Sequence, residues 1–178
     1  MNSSKRTSIT NRLQQSPVDW QQVLSDSIAC FDCSTGTLHF LETGVAADNS
    51  LTAKSSKMNG AAEDGSPADS MLHLKAQVGI PEFLLPKVSQ IPIGKGMAGI
   101  AAERREPVEM CNLQTDTSGV ARPAAKETKV EGSIAVPLML GGFLYGTLGI
   151  AKPVPYEFTE EERDELMGIG EEIAAVLV

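Results

Sequence analysis

The sequence has few cysteines, few basic residues and no long apolar run. Three cysteines among 178 residues are an odd number, which fits reduced thiols better than a disulfide framework. With 15 basic and 23 acidic residues, the formal net charge is −8. This charge argues against nucleic acid or an anionic membrane surface as the main partner, since both require a concentrated basic face.

Targeting and membrane-spanning signals are also absent from the sequence. The first 16 residues are polar and lack the apolar segment of a secretion signal. No stretch approaches the roughly 20 apolar residues that a membrane helix needs. We therefore expect a cytoplasmic protein.

What is present is an ordinary globular balance, with 42% hydrophobic and 21% charged residues. The length suits one domain with a real core. Residues 1–16, rich in Ser, Thr, Asn and Gln, are predicted to form a flexible tail, and the domain is predicted to span 17–178. Residues 45–70 are small, polar and aperiodic, which predicts a disordered, protease-sensitive insertion.

Apolar spacing and capping signals predict the order of helices and strands. Ser16 and Pro17 begin a predicted helix over 17–32, and Thr159 with Glu162 forms a capping box before the last helix. Gly141-Gly142 is typical of a two-residue hairpin turn. The other predicted elements are strands 37–42, 71–78, 107–110, 133–140 and 143–150, a helical turn or two within 81–88, and a helix over 96–105. Hairpins without repeated strand–helix crossovers indicate an antiparallel sheet with helices, an α+β fold.

Three motifs suggest chemistry, but each has a simpler structural explanation. Gly94 to Gly99 satisfies Gly-x-Gly-x-x-Gly, yet it lies in mid-chain without a strand–helix–strand unit, so the glycines are predicted to serve a tight turn. Cys30 and Cys33 lack a second pair of zinc ligands and are predicted to pack in the core. His39 and His73 alternate with apolar neighbours in strands and are predicted to face outward. No metal site is predicted.

Six segments, in this order and spacing, resemble the GAF family: Gln90 to Gly99, Pro107-Val108, Cys111 to Leu113, Ser133 to Leu138, Gly146 to Ile150 and Phe158 to Glu161. The resemblance covers residues 17–178 with 45–70 as an insertion and is strongest from residue 71. It implies a six-stranded antiparallel sheet with helices on both faces. The N- and C-terminal helices would lie together on one face and often pair in a dimer.

The resemblance also implies where a ligand would bind, namely under the irregular segment between the short edge strand and the hairpin. The polar residues there are the predicted ligand-binding set: Cys111, Asn112, Asp116, Ser118, Arg122, Lys126 and Ser133. No particular cofactor is implied. The cyclic-nucleotide-binding subset carries an Asn-Lys-Phe-Asp-Glu signature, whose positions here read Ala151, Lys152, Phe158, Glu162 and Arg163. Only Lys152 and Phe158 match it, and Lys152 is expected to pair with Glu162.

Three functions are open at this point. The first is a non-catalytic domain that senses a small molecule, and the second is a ligand-free dimerisation or scaffold module. The third is a free methionine-(R)-sulfoxide reductase, which resembles the same family but requires thiols where this chain has Ala98 and Lys126. We expect the first, without enzymatic activity. We also expect a homodimer through the terminal helices, because Leu13, Val18, Val176 and Val178 appear as spare apolar surface.

Overall fold

The computed structural model describes residues 3–42, 70–121 and 123–178. The helices are α1 (Ser3–Leu13), α2 (Trp20–Cys30), α3 (Leu85–Val88), α4 (Gly96–Arg104), α5 (Pro123–Glu127) and α6 (Glu160–Val176). The strands are β1 (Thr35–Glu42), β2 (Met71–Val78), β3 (Gln90–Pro92), β4 (Val108–Met110), β5 (Ser133–Leu140) and β6 (Phe143–Ala151). Short 3₁₀ turns cover Glu82–Leu84 and Leu113–Thr115.

The strands form one sheet in the order β3-β2-β1-β6-β5-β4, and each neighbouring pair is antiparallel. Helices lie on both faces of this sheet, so the predicted α+β architecture with six antiparallel strands is confirmed. The hairpin turn is confirmed as well, since Gly141 and Gly142 have φ values of 57° and 84°. Such positive values favour glycine and match the twist of the paired strands.

One face of the sheet carries the main hydrophobic core. Leu38, Val136 and Leu148 are fully buried there against the terminal helices. Those helices contribute Val23, Leu24, Leu166, Ile169 and Ile173, all with no exposed surface. The start of α6 is fixed by the predicted capping box, in which Thr159 Oγ1 accepts from Glu162 N and the Glu162 carboxylate accepts from Thr159 N.

The predicted flexible tail over 1–16 is wrong for residues 3–13, which form α1. Ile9 is fully buried and Leu13 is 6% exposed, both within the main core. Arg6 binds Glu172 at 2.6 Å, and Arg12 pairs with Asp26, so α1 is joined to α6 and α2. The segment is polar in average composition, but two buried apolar side chains and ion pairs to residues distant in sequence dock it on the domain. The helix predicted over 17–32 corresponds to α2, which begins later, at Trp20, because Asp19 rather than Ser16 caps it.

Docking of α1 changes the surface on which the predicted dimer depended. Leu13 is buried and Val18 is partly buried against the core, so neither is spare surface. Val176 and Val178 remain 39% and 81% exposed. The dimer stays a prediction that now depends on these two residues.

The predicted insertion over 45–70 lies outside the described residues, apart from Ser70. The Ser70 carbonyl accepts a hydrogen bond from Ile93 N at 3.3 Å, so it belongs to the folded part of the chain. Among the described helices, none is both long and apolar enough to span a bilayer.

Candidate functional site

A cavity of about 440 Å³ lies on the sheet face opposite the main core. Its sheet side comes from the central strands, and its other walls come from α3, α4, α5 and the turn at Leu113. Most lining residues are apolar, including Ile91, Met97 and Val130. Strand register sets three rows of residues beneath it: Thr35, Ala151 and Ser133; Thr37, Gly149 and Ala135; and His39, Thr147 and Pro137.

His39 is the only ionisable side chain on these rows, and it is fully buried. The predicted outward orientation of His39 is therefore wrong. That prediction assumed one solvent-exposed sheet face, whereas here Leu38 faces the main core and His39 faces the cavity layer. His73 is partly exposed, with Nε2 at 2.8 Å from Glu42 Oε2.

The hydrogen bonding of His39 defines which ring nitrogen carries the proton. Nε2 lies 2.9 Å from the carbonyl oxygen of Val88, which can only accept, so Nε2 donates. Burial lowers the pKa of His39 below its ordinary value despite this bond, which keeps the ring neutral. The remaining nitrogen, Nδ1, is then an acceptor, and it has no partner among the described residues.

Two hydroxyl groups on the same face of the sheet as His39 are also buried without a partner in the described chain. Ser133 is 5% exposed and lines the cavity, and its Oγ has no hydrogen-bond partner. Thr147 lies opposite His39 on β6, fully buried, with Oγ1 equally unpaired. Buried polar atoms are normally hydrogen-bonded, because leaving one unpaired costs about 1–3 kcal/mol. His39 and Ser133 both line the cavity, which makes it a candidate binding site.

The charged side chains that line the cavity are two lysines, and no acidic side chain among the described residues lines it. Lys87 binds Glu127 at 3.0 Å, so its charge is largely compensated. Lys95 is exposed and forms no ion pair within the described ranges. It immediately precedes α4, whose first turn also lines the cavity and contains no acid. The charged groups of the lining are therefore positive in a chain with a net charge of −8, and the nearby Glu103 carboxylate lies beside Gly94, outside the lining.

The glycine motif at Gly94 to Gly99 shapes the α4 wall of the cavity by its backbone, as predicted. Gly94 and Gly96 have φ values of 78° and 64°. A Cβ at Gly99 would lie 2.3 Å from the Pro92 carbonyl oxygen, so only glycine permits the close approach of α4 to β3.

Of the predicted ligand-binding residues, Ser133 lines the cavity, Arg122 lies outside the described residues, and the other five lie outside the lining. Cys111 is exposed. Asn112 Oδ1 accepts from Gln114 N at 2.9 Å, and Asp116 accepts from Ser118 Oγ at 2.6 Å and from Ala121 N at 3.0 Å. Lys126 Nζ donates to the Asp116 carbonyl at 2.6 Å.

These bonds fold the described parts of this segment, 111–121 and 123–128, into a cover for the cavity, which explains their polar composition. Gln114 Nε2 donates to the Val130 carbonyl at 2.6 Å and thereby fixes two apolar lining residues, Leu113 and Val130. The resemblance to the GAF family therefore located the segment that covers the cavity, whereas the predicted ligand-binding set lacked His39 and Lys95. The helices that the resemblance implies on both faces of the sheet could have indicated that His39 is buried, because a central strand of such a sheet has no face exposed to solvent.

The architecture has counterparts among known proteins. A family model for the GAF domain matches residues 21–178. The chain belongs to the GAF domain family. No curated protein matches it.

Solved structures similar to this GAF domain include other GAF domains and free methionine-R-sulfoxide reductases. The GAF domain from a phosphoenolpyruvate-protein phosphotransferase of Coxiella burnetii is 18% identical, with a TM-score of 0.65 over 99% of this chain and 95% of that one. A free methionine-R-sulfoxide reductase from Staphylococcus aureus, in complex with substrate, is 17% identical, with a TM-score of 0.64 over 99% and 95%. At these identities the likeness concerns the fold alone.

The cysteines of this GAF domain lie away from the cavity lining. Cys30 and Cys33 pack partly buried against the main core, as predicted. Burial raises the pKa of Cys33 to about 12, so its thiol is protonated and a poor nucleophile. No cluster of three potential metal-binding side chains occurs within the described ranges.

The expected ion pair between Lys152 and Glu162 is not formed. Lys152 Nζ donates to the Phe31 carbonyl and lies 4.2 Å from the centre of the Tyr156 ring. Glu162 instead accepts from Tyr156 Oη at 2.9 Å and completes the capping box. Lys152 therefore joins the last strand to the end of α2 rather than to α6.

Proposed function

We propose that this GAF domain is a non-catalytic sensory or regulatory module that binds a small organic molecule in the cavity beside His39. The observation that carries the proposal is the pair of buried, unpartnered polar atoms, His39 Nδ1 and Ser133 Oγ, in the lining of an otherwise largely apolar cavity. A largely apolar cavity with a few convergent polar groups is the usual form of a small-molecule site. A bound molecule would supply the missing hydrogen bonds.

Reductase chemistry is a weaker proposal because the cavity lining of the described chain contains no thiol. Free methionine-R-sulfoxide reductases are among the similar structures. By the resemblance, those enzymes have a cysteine at the position of Ala98, a residue that lines the cavity here. A thiol-dependent reduction requires a nucleophilic thiolate at the substrate.

The binding proposal is tested by filling the cavity. Ala98→Phe places a bulky ring in the lining, while Ala175→Phe adds the same ring at an exposed position on α6. A fixed panel of small aromatic acids, amides and alcohols at millimolar concentration is followed by ligand-observed NMR. We expect binding to the unmodified protein and to Ala175→Phe, and loss of binding in Ala98→Phe. A panel without any such Ala98-sensitive ligand would support a ligand-free module and contradict the proposal.

The non-catalytic part is tested by an activity assay. We expect no turnover of free methionine-(R)-sulfoxide with dithiothreitol or thioredoxin as reductant. Turnover that disappears in Cys111→Ser would refute this expectation, because Cys111 is the exposed thiol among the described residues.

A further inference from the structure

We propose that the cavity selects small organic monocarboxylates that also carry a hydroxyl or N–H donor, with the donor directed at His39 and the carboxylate at Lys95 and the first turn of α4. This inference rests on the proposed function and names the class of molecule that the site takes. Three features of the lining carry it.

The first feature is the acceptor at His39. Nε2 is committed as a donor to Val88, so Nδ1 remains an acceptor without a partner among the described residues, on a side chain that lines the cavity. The side chain is fully buried, and a ligand that brings an ether or a methyl group to this nitrogen would leave it unpaired. A ligand hydroxyl or N–H group would pair it.

The second feature is a single uncompensated positive charge. Glu127 compensates Lys87, whereas Lys95 has no ion-pair partner in the described chain, and the described lining contains no acid. Lys95 also supplies no side-chain acceptor to α4, and no acid occupies the first turn of that helix. The free N–H groups of such a helix end favour an anion.

The third feature is the apolar part of the lining, which includes Ile91, Met97, Leu113 and Val130. It suits a hydrocarbon or aromatic body. One uncompensated lysine matches one carboxylate, whereas a phosphate monoester carries a charge of about −1.5 to −2 at neutral pH. The lining therefore favours a monoanion with an apolar body.

The test compares four ligands that differ by one group each, with dissociation constants measured by calorimetry or ligand-observed NMR. 4-Hydroxyphenylacetate has both the donor and the carboxylate. 4-Methoxyphenylacetate lacks the donor, 4-hydroxyphenylacetamide lacks the charge, and 4-hydroxyphenyl phosphate replaces the carboxylate. We expect the first to bind best, with about a tenfold loss for the methoxy compound. We expect about a two- to fivefold loss at low salt for the amide and weaker binding of the phosphate.

Variants assign each preference to its residue. His39→Gln retains an N–H group able to donate to Val88, and its acceptor, Oε1, no longer stands at the position of Nδ1, so the preference for hydroxyl over methoxy should shrink. Lys95→Gln should abolish the preference for acid over amide. Lys75→Gln, which removes an exposed lysine outside the cavity, should leave that preference unchanged.

The outcomes separate this inference from the proposed function. Equal binding of all four ligands, lost in Ala98→Phe, would keep the cavity as a binding site and overturn the inference. Tighter binding of the phosphate, or an unchanged acid preference in Lys95→Gln, would also overturn it. Absence of Ala98-sensitive binding throughout would refute both. Since the ligand comparison uses the unmodified protein, it stands even if His39→Gln fails to fold.

Discussion

Replacing Ile9 by alanine tests whether α1 is a docked part of the domain. Ile9 has no exposed surface and packs in the main core with Leu13, although both lie in the polar N-terminal segment. Removing a buried isoleucine side chain to alanine costs about 2–5 kcal/mol. We expect the lower part of that range, about 2–3 kcal/mol, because α1 is terminal and the loss cannot exceed the free energy that docks it.

The free energy of unfolding is measured by urea titration, and the midpoint by thermal circular dichroism. For a chain of this size the expected loss corresponds to a fall in Tm of roughly 4–12 °C. Asn11→Ala is the matched control, because Asn11 is exposed on the same helix. Equal unfolding free energies for Ile9→Ala and Asn11→Ala would refute the docking of α1 and restore the flexible tail.

Three further predictions concern pH and assembly. Above the ordinary pKa of 6.5, His39 is neutral in both the folded and the unfolded chain. As the pH falls from 6.5 toward the lowered pKa of His39 in the folded chain, the free energy of unfolding should decrease, because only the unfolded chain binds the proton. His39→Gln should remove this pH dependence, which a series of urea midpoints measures. Burial alone would raise the pKa of Asp26, but hydrogen bonds from Arg12, Gln22 and Ser8 lower it. Asp26→Asn should therefore reduce the free energy of unfolding above pH 3.8, and the difference from the unmodified protein should shrink as the pH falls through the pKa of Asp26 in the folded chain. Sedimentation at micromolar concentration should give a dimer that Val176→Asp converts to a monomer, and a monomeric unmodified chain would contradict the predicted pairing.

Local signals in the sequence were sufficient wherever the structure depends on neighbours within a few residues. The capping box at Thr159 and Glu162 and the Gly141-Gly142 turn are complete within four residues, so their positions are predictable. The α1 helix is different, because its docking depends on Glu172 and Asp26, which are distant in sequence. Its composition alone indicates a solvated tail.

The candidate site was predictable only at Ser133. Apolar alternation around His39 shows that its neighbours face one side of the sheet, but it does not show what covers the other side. Conversely, the polar run from Asn112 to Lys126 has the composition of a binding loop. The side chains of Asn112, Asp116 and Lys126 bind the loop's own backbone, a role that depends on turn geometry rather than on residue type.

The alternation along β1 has a mechanical consequence for a sensory domain. Thr37 and His39 face the cavity, while Leu38 between them packs against the layer of α2 and α6. The backbone of β1 therefore borders both the cavity and the main core, so a displacement of β1 toward one of them also changes the packing in the other. If the proposed ligand displaced His39, the displacement would reach the residue that packs against α2 and α6 through a single peptide unit, without a longer chain of contacts.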